Sequence, residues 1–122
     1  MAETPQDKLV DAQYAGEKKS LRPLYERLRE ELESLGEDVQ AAPRQTYVEF
    51  SRGRLFALVQ PSTTDRVDVG LVLPDVEPNE RLREAGSFGS AGITHRVGLK
   101  SERAIDDDLR AWLLQAYAGA ER

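Results

Sequence analysis

Cysteine is absent from the 122 residues, which excludes disulfides, thiolate zinc sites and cysteine nucleophiles together. Stability must therefore come from packing. Histidine occurs once, at His95, so no site needing two imidazoles is available, and only oxygen-rich sites of the magnesium or calcium kind remain open to metals. No apolar run approaches the roughly 20 residues of a membrane span. The start Met1-Ala-Glu-Thr-Pro-Gln-Asp7 lacks both the basic segment and the apolar stretch of a secretory leader. The expectation is a cytoplasmic chain that makes no use of a membrane. Internal repeats, low-complexity tracts and cofactor fingerprints are missing too, so no cofactor is expected.

The composition is that of a soluble globular protein, with 32% charged and 39% hydrophobic residues. A chain of this length suits one domain, able to hide about two thirds of its unfolded surface. The formal net charge of -5 disfavours nonspecific attraction to a phosphate backbone, though not a local basic face.

Residues 1–17 are polar apart from Leu9, Val10 and Tyr14, and Gly16 interrupts any short helix there. They read as a loosely attached arm preceding a single α+β domain over residues 18–120. From Leu21 the pattern changes: Leu21, Leu24, Tyr25, Leu28, Leu32 and Leu35 form the stripe of an amphipathic helix over 20–35. Ser20 offers a cap, Pro23 is tolerable in the first turn, and Gly36 offers a left-handed stop. Lys18, Lys19, Arg22, Arg27 and Arg29 alternate with Glu26, Glu30 and Glu31, the pattern of a solvated helix face with i,i+4 pairs.

Ala41-Ala-Pro43 reads as a short connection. Gln45–Phe50 and Leu55–Gln60 alternate as strands around a turn at Ser51-Arg-Gly-Arg54, and Pro61–Asp65 turns into a third strand, Arg66–Leu73. That strand puts Val67, Val69, Leu71 and Leu73 on one face and Arg66, Asp68, Gly70 and Val72 on the other. Residues 74–92, with two prolines and three glycines, read as a long flexible connection with one helical turn near residues 80–85; loops of this length are uncommon unless they do something. Thr94–Leu99 resumes alternation, with His95, Val97 and Leu99 opposite Thr94, Arg96 and Gly98. Ser101 is placed to cap a last helix whose stripe is Ile105, Leu109, Trp112, Leu113, Ala116 and Tyr117, ending at Gly119. The expected fold is α+β: an antiparallel sheet of about four strands, in the order helix, three-strand meander, long loop, strand, helix, covered by two amphipathic helices.

The segments Tyr14-Ala-Gly-Glu-Lys-Lys-Ser-Leu-Arg-Pro-Leu-Tyr-Glu-Arg-Leu28, Phe56-Ala-Leu-Val-Gln-Pro-Ser-Thr-Thr-Asp-Arg-Val-Asp-Val-Gly-Leu71 and Thr94-His-Arg-Val97 resemble an uncharacterised bacterial family, the domain of unknown function 5655. The resemblance runs from about Gln13 to Ala120 and takes in Gly86-Ser-Phe88 and the Trp112 to Tyr117 ending. It implies no established activity. Relatives often carry a small helical domain ahead of this one; here the chain begins close to where that would end, and this copy is expected to stand alone. Relatives are also more basic around the first hairpin, whereas Gln45, Glu49 and Ser51 dilute the charge here, which makes nucleic acid the weaker partner.

Strand parity sends Arg66, Asp68, Thr94 and Arg96 off the core face, where they meet if their strands pair. Two guanidiniums near one carboxylate describe either a solvated salt-bridge ladder or a shallow anion site, with Tyr47, Ser62, Thr64 and Thr94 as walls. Gly86-Ser-Phe-Gly-Ser-Ala-Gly92 has the glycine spacing of an anion-wrapping loop, but it precedes a strand, unlike a Walker or dinucleotide loop, and reads equally as a connection anchored by Phe88. His95 shares parity with core residues, which favours a buried hydrogen-bonded imidazole over a general base. Ser62, Ser87 and Ser90 lie in no Gly-x-Ser-x-Gly elbow. Asp106-Asp-Asp108 suits the positive end of a helix dipole better than a metal.

The leading expectation is a small noncatalytic module that binds an anionic ligand or a macromolecular partner, a protein before a nucleic acid. One alternative is an enzyme with His95 or Asp68 as base and residues 86–92 as lid. Another is an interaction or oligomerisation domain with Trp112 or a sheet edge exposed.

Overall fold

The computed structural model describes residues 5–89 and 92–120. Its centre is a six-stranded antiparallel sheet, with β1 (Gln40–Pro43), β2 (Val48–Arg52), β3 (Arg54–Thr63), β4 (Arg66–Leu71), β5 (Arg83–Glu84) and β6 (His95–Leu99) in the order β1-β2-β3-β4-β6-β5. The α+β class and the meander stand as expected, but the sheet has six strands where four were expected. Both additions are edge strands with weak sequence signals. β1 carries two alanines and ends in Pro43, which an edge tolerates, and β5 is two residues long, too short to show alternation.

Among the described residues three α-helices, α1 (Pro5–Gln13), α2 (Arg22–Glu33) and α3 (Asp107–Gly119), cover one sheet face. Val10, Leu28, Leu32, Leu109 and Leu113 join Val48, Phe50, Val59, Val69, Leu71 and Val97 in one buried cluster. The helix periodicity and the strand parity thus converge on the same core. A register shift between Phe50 and Ser51 puts Phe56 beside Ala57 on this side, where its ring meets that of Tyr117 edge-on, centroids 5.8 Å apart.

The N-terminal segment departs from the loose arm expected of it. Val10 and Tyr14 are buried, and the Gln13 amide donates to the carbonyls of Arg44 and Tyr47 at 2.8 and 3.0 Å. Two apolar side chains and one amide were too thin a pattern to reveal this. Residues 1–4 lie outside the described residues.

The helix expected over 20–35 splits into a 3-10 segment (Gly16–Leu21) and α2, with Pro23 in the first turn and the Arg22–Glu26 and Arg29–Glu33 pairs at 2.8 and 3.1 Å. Ser20 lies inside the 3-10 segment and does not cap α2, and Gly36 is absent from the glycines with positive φ. Gly36 answers a different need: a β-carbon there would collide with the Tyr117 hydroxyl. Asp106, not Ser101, caps α3 by accepting from Leu109 N at 3.0 Å, because Ser101 leads instead into a 3-10 turn (Glu102–Ala104).

The long connection is tied down where a flexible one was expected. Asn79 Oδ1 accepts from Arg81 N and Leu82 N, each at 2.8 Å, Leu82 is fully buried, and Arg81 clamps Asp106 at 2.8 and 3.0 Å and the Ala104 carbonyl at 2.6 Å. These anchors place β5 against β6 in place of the expected helical turn.

Candidate functional site

The sheet face opposite the helices is half apolar and half charged. Leu58, Ala85 and Ile93 form a small buried cluster with Tyr47, Leu55, Val72 and Phe88 packed against it. Phe88 presses on Gly70, where a β-carbon would meet its Cε2 at 3.1 Å and the Leu58 Cγ at 3.1 Å. Gly70 is thus the space into which the loop after Ala85 docks, and Phe88 is an anchor. The lid reading of residues 86–92 includes Ser90 and Ala91, which lie outside the described residues.

Beside this cluster, Arg66, Asp68, Arg83, Arg96 and Gly98 line a cavity of about 70 Å³. Three cations and one carboxylate line it, in a chain whose net charge is -5. Strand pairing explains the gathering. Asp68 lies opposite Gly98, Arg96 lies between Gly70 and Arg83, and all of these positions share the outward parity. Glycine at 98 makes room: a β-carbon would sit 3.0 Å from Arg66 Cδ and 3.1 Å from Asp68 Oδ1.

Asp68 is only 3% exposed. Arg66 Nε stands 3.2 Å from its Oδ1, an ion pair by distance whose alignment falls short of a hydrogen bond. Arg66 Nε and Asp68 Oδ2 are accordingly both buried without a hydrogen-bond partner among the described residues. A buried polar atom left unpaired costs about 1–3 kcal/mol, so this corner of the sheet is incompletely satisfied. The Arg96 guanidinium lies 5.7 Å from the Phe88 ring centroid, leaving its N–H edges free to point elsewhere. Arg83 and Arg96 are directly opposite each other, like charges facing across the strand pair, and neither forms an ion pair among the described residues.

Of the residues expected at the site, Arg66, Asp68 and Arg96 come together, and the others do not join them. Thr94 Oγ1 accepts from Leu73 N at 2.8 Å and contacts His95 Nδ1 at 2.7 Å, a structural role at the strand end. Tyr47 packs on the Leu58 cluster. Thr64 is exposed in the β3–β4 turn. Ser62 lies within β3, which runs on to Thr63 into the expected Pro61–Asp65 turn, and lines a separate cavity of about 320 Å³ with Gln13, Lys18, Gln45, Thr46 and Gln60. Arg83 and Gly98 are the residues that sequence reasoning missed. Arg83 belongs to a strand visible only through its pairing, although the charges on either side of Leu82 were a trace of it.

His95 is 5% exposed on the core side. Its Nε2 donates to the Val76 carbonyl at 2.9 Å, and its Nδ1 meets Thr94 Oγ1 at 2.7 Å. Both ring nitrogens are therefore engaged in holding the β4 exit against β6, away from the arginine cavity. Asp106 is a capping residue: the Leu109 backbone amide, and then Arg81, hold its carboxyl below the usual carboxylate range. Among the described residues no three His, Cys, Asp or Glu side chains gather as a metal set, and no helix is long and apolar enough to cross a membrane. A further cavity of about 310 Å³ between the β4 exit and the end of α3 is lined by Phe56, Leu73, Pro74 and Ala116 and contains none of the expected site residues.

The family model of the Domain of unknown function (DUF5655) matches residues 10–119. The chain belongs to that family. The match begins inside α1 and ends at the last residue of α3, so the DUF5655 unit contains every strand and the whole arginine cavity, and it draws in the N-terminal segment from Val10. No curated protein and no solved structure matches the chain. The DUF5655 membership thus defines a structural unit and leaves its biochemical function unassigned.

Proposed function

We propose that this domain is a noncatalytic binding module that takes a small oxyanion, a phosphoryl or carboxylate group, between Arg83 and Arg96. The observation that carries this reading is the pairing of those two arginines directly opposite each other beside a cavity of about 70 Å³. Like charges placed opposite on neighbouring strands destabilise a sheet, and an oxyanion between them converts that repulsion into two charge-assisted hydrogen bonds. Arg66 is the third cation, held in place by Asp68.

The noncatalytic part of the reading is supported by His95, the best candidate for a general base, whose two nitrogens are already engaged. The oligomerisation alternative has less to support it, because Trp112 is half-buried against the core with Arg81 5.5 Å from its ring centroid, and a single exposed leucine, Leu114, is ordinary. A cytoplasmic setting, rich in phosphorylated metabolites, fits the ligand class.

Amide NMR titration with inorganic phosphate tests the reading. Shifts confined to Arg66–Gly70, Arg83 and Arg96–Gly98, abolished by Arg96→Ala, are the expected result. An unperturbed spectrum at millimolar phosphate overturns it.

A further inference from the structure

Beyond the end of β4 lies a hollow of about 310 Å³ that shares no lining residue with the arginine cavity. Its origin is a parting of chains. Val72 N donates to the Phe56 carbonyl at 3.0 Å, but Pro74, two residues on, has no N–H with which to carry the ladder toward Arg54. Val76 N instead turns back to the Leu73 carbonyl at 3.2 Å. The third wall is the end of α3, which presents Ala116, Gly119 and Ala120 to the hollow where its earlier turns present Leu109 and Leu113 to the core. Small side chains there leave the gap open, and nothing stands within 4 Å of where a β-carbon on Gly119 would sit.

The accessible lining has three chemical parts. Half-buried Leu55, Val72 and Val76 supply apolar surface. Arg54 and Asp75 are exposed on the two chains that part at the Val72–Phe56 hydrogen bond, and neither forms an ion pair among the described residues. The C-terminal end of α3 adds the negative pole of its dipole. An anion would face Asp75 and that pole, and a cation would face Arg54. A neutral apolar molecule would make no use of either charge. A zwitterion with an apolar side chain matches all three parts. The volume sits at the lower end of the ~300–1,000 Å³ of small-molecule sites, which suits an amino acid and is tight for a nucleotide or a larger cofactor.

We propose that this hollow is a second binding site, for a free aliphatic amino acid. The Arg54 guanidinium takes its carboxylate, Asp75 and the C-terminal end of α3 take its ammonium, and Leu55, Val72 and Val76 receive its side chain. The site is independent of the oxyanion reading, since the two cavities have no residue in common.

Amide NMR titration of the intact chain with leucine, isocaproate and isoamylamine tests the proposal, the last two being leucine without its ammonium and leucine without its carboxylate. Leucine is expected to bind about fivefold more tightly than either, the scale of an exposed ion pair, with shifts centred on Leu55, Leu73, Asp75, Val76 and Gly119. Arg54→Gln is expected to remove the advantage over isoamylamine without weakening isoamylamine itself, and Asp75→Asn to remove the advantage over isocaproate without weakening isocaproate. Gly119→Trp, at a helix end with open space around it, is expected to abolish leucine binding without lowering the melting temperature or changing phosphate binding at the arginine cavity. An unperturbed spectrum at millimolar leucine overturns the proposal. Equal binding of all three compounds overturns the choice of an amino acid, and leucine binding indifferent to Gly119→Trp overturns its placement in this hollow.

Discussion

Arg83 and Arg96 are directly opposed across the β5–β6 pair, without an ion pair to either among the described residues. The sheet accepts that repulsion because other contacts hold β5 in place: Leu82 is fully buried and Arg81 is clamped to Asp106. Binding and stability are thereby separable here. Arg83→Ala is expected to weaken phosphate binding at least tenfold while leaving stability unchanged or raising it by up to about 0.5 kcal/mol. Titration calorimetry beside urea denaturation checks both; a marked loss of stability would make Arg83 a structural residue.

Arg66 behaves differently, because Asp68 beneath it is buried. Arg66→Ala strips that carboxylate of its cation and is expected to cost about 1–3 kcal/mol, below the range for fully buried pairs because the Arg66 side chain is 39% exposed. Adding Asp68→Asn to Arg66→Ala should recover much of the loss. A double-mutant cycle in urea measures the coupling, and strictly additive effects would mean the pair contributes nothing.

Gly36 and Tyr117 form a second pair of coupled positions. The Tyr117 hydroxyl donates to Asp38 at 2.7 Å over the space a β-carbon at 36 would take, and its ring is held by Phe56 and by Arg52, 4.0 Å from its centroid. Gly36→Ala is expected to destabilise by about 1–3 kcal/mol, and Tyr117→Phe, which removes the clashing oxygen, to restore part of it. Thermal melts of the two single variants and the double variant give the answer.

The pH dependence should have two limbs. Asp38, Asp65 and Asp106 all have carboxyls held below the usual range, by the Tyr117 hydroxyl first, the Thr63 hydroxyl first and the Leu109 amide first, respectively. A depressed carboxyl contributes stability that is present above its unfolded value of about 3.9 and is lost as pH falls through the folded value. The acid limb therefore lies below about pH 4, and Asp106→Asn should flatten it. Burial raises the phenols of Tyr14 and Tyr25. Their contribution is present below the unfolded tyrosine value of about 10 and is lost at higher pH, which gives an alkaline limb that Tyr25→Phe should soften. Melting temperature from pH 2.5 to 11 tests both limbs.

The sequence alone determined the features that depend on local periodicity. The stripe from Leu21 to Leu32 and that from Leu109 to Ala116 define helices whichever way they pack, and the alternation in residues 66–71 and 95–99 assigns Val69 and Val97 to the core and Asp68 and Arg96 to the other face, because side chains in a strand alternate at period two. Three of the site residues followed from that parity alone. Tertiary structure decided what depends on pairing between distant segments. β1 and β5 have too few residues and too little alternation to show as strands, and they exist because β2 and β6 offer them backbone partners. Arg83 and Gly98 entered the cavity by register, Thr94 and Ser62 left it through a hydrogen bond and an extended strand, and α1 was tied down by one glutamine amide reaching two carbonyls more than 30 residues away. A single sequence encodes each residue's face within its strand, but which strands are neighbours, and in what register, is settled only by the free energy of the assembled sheet.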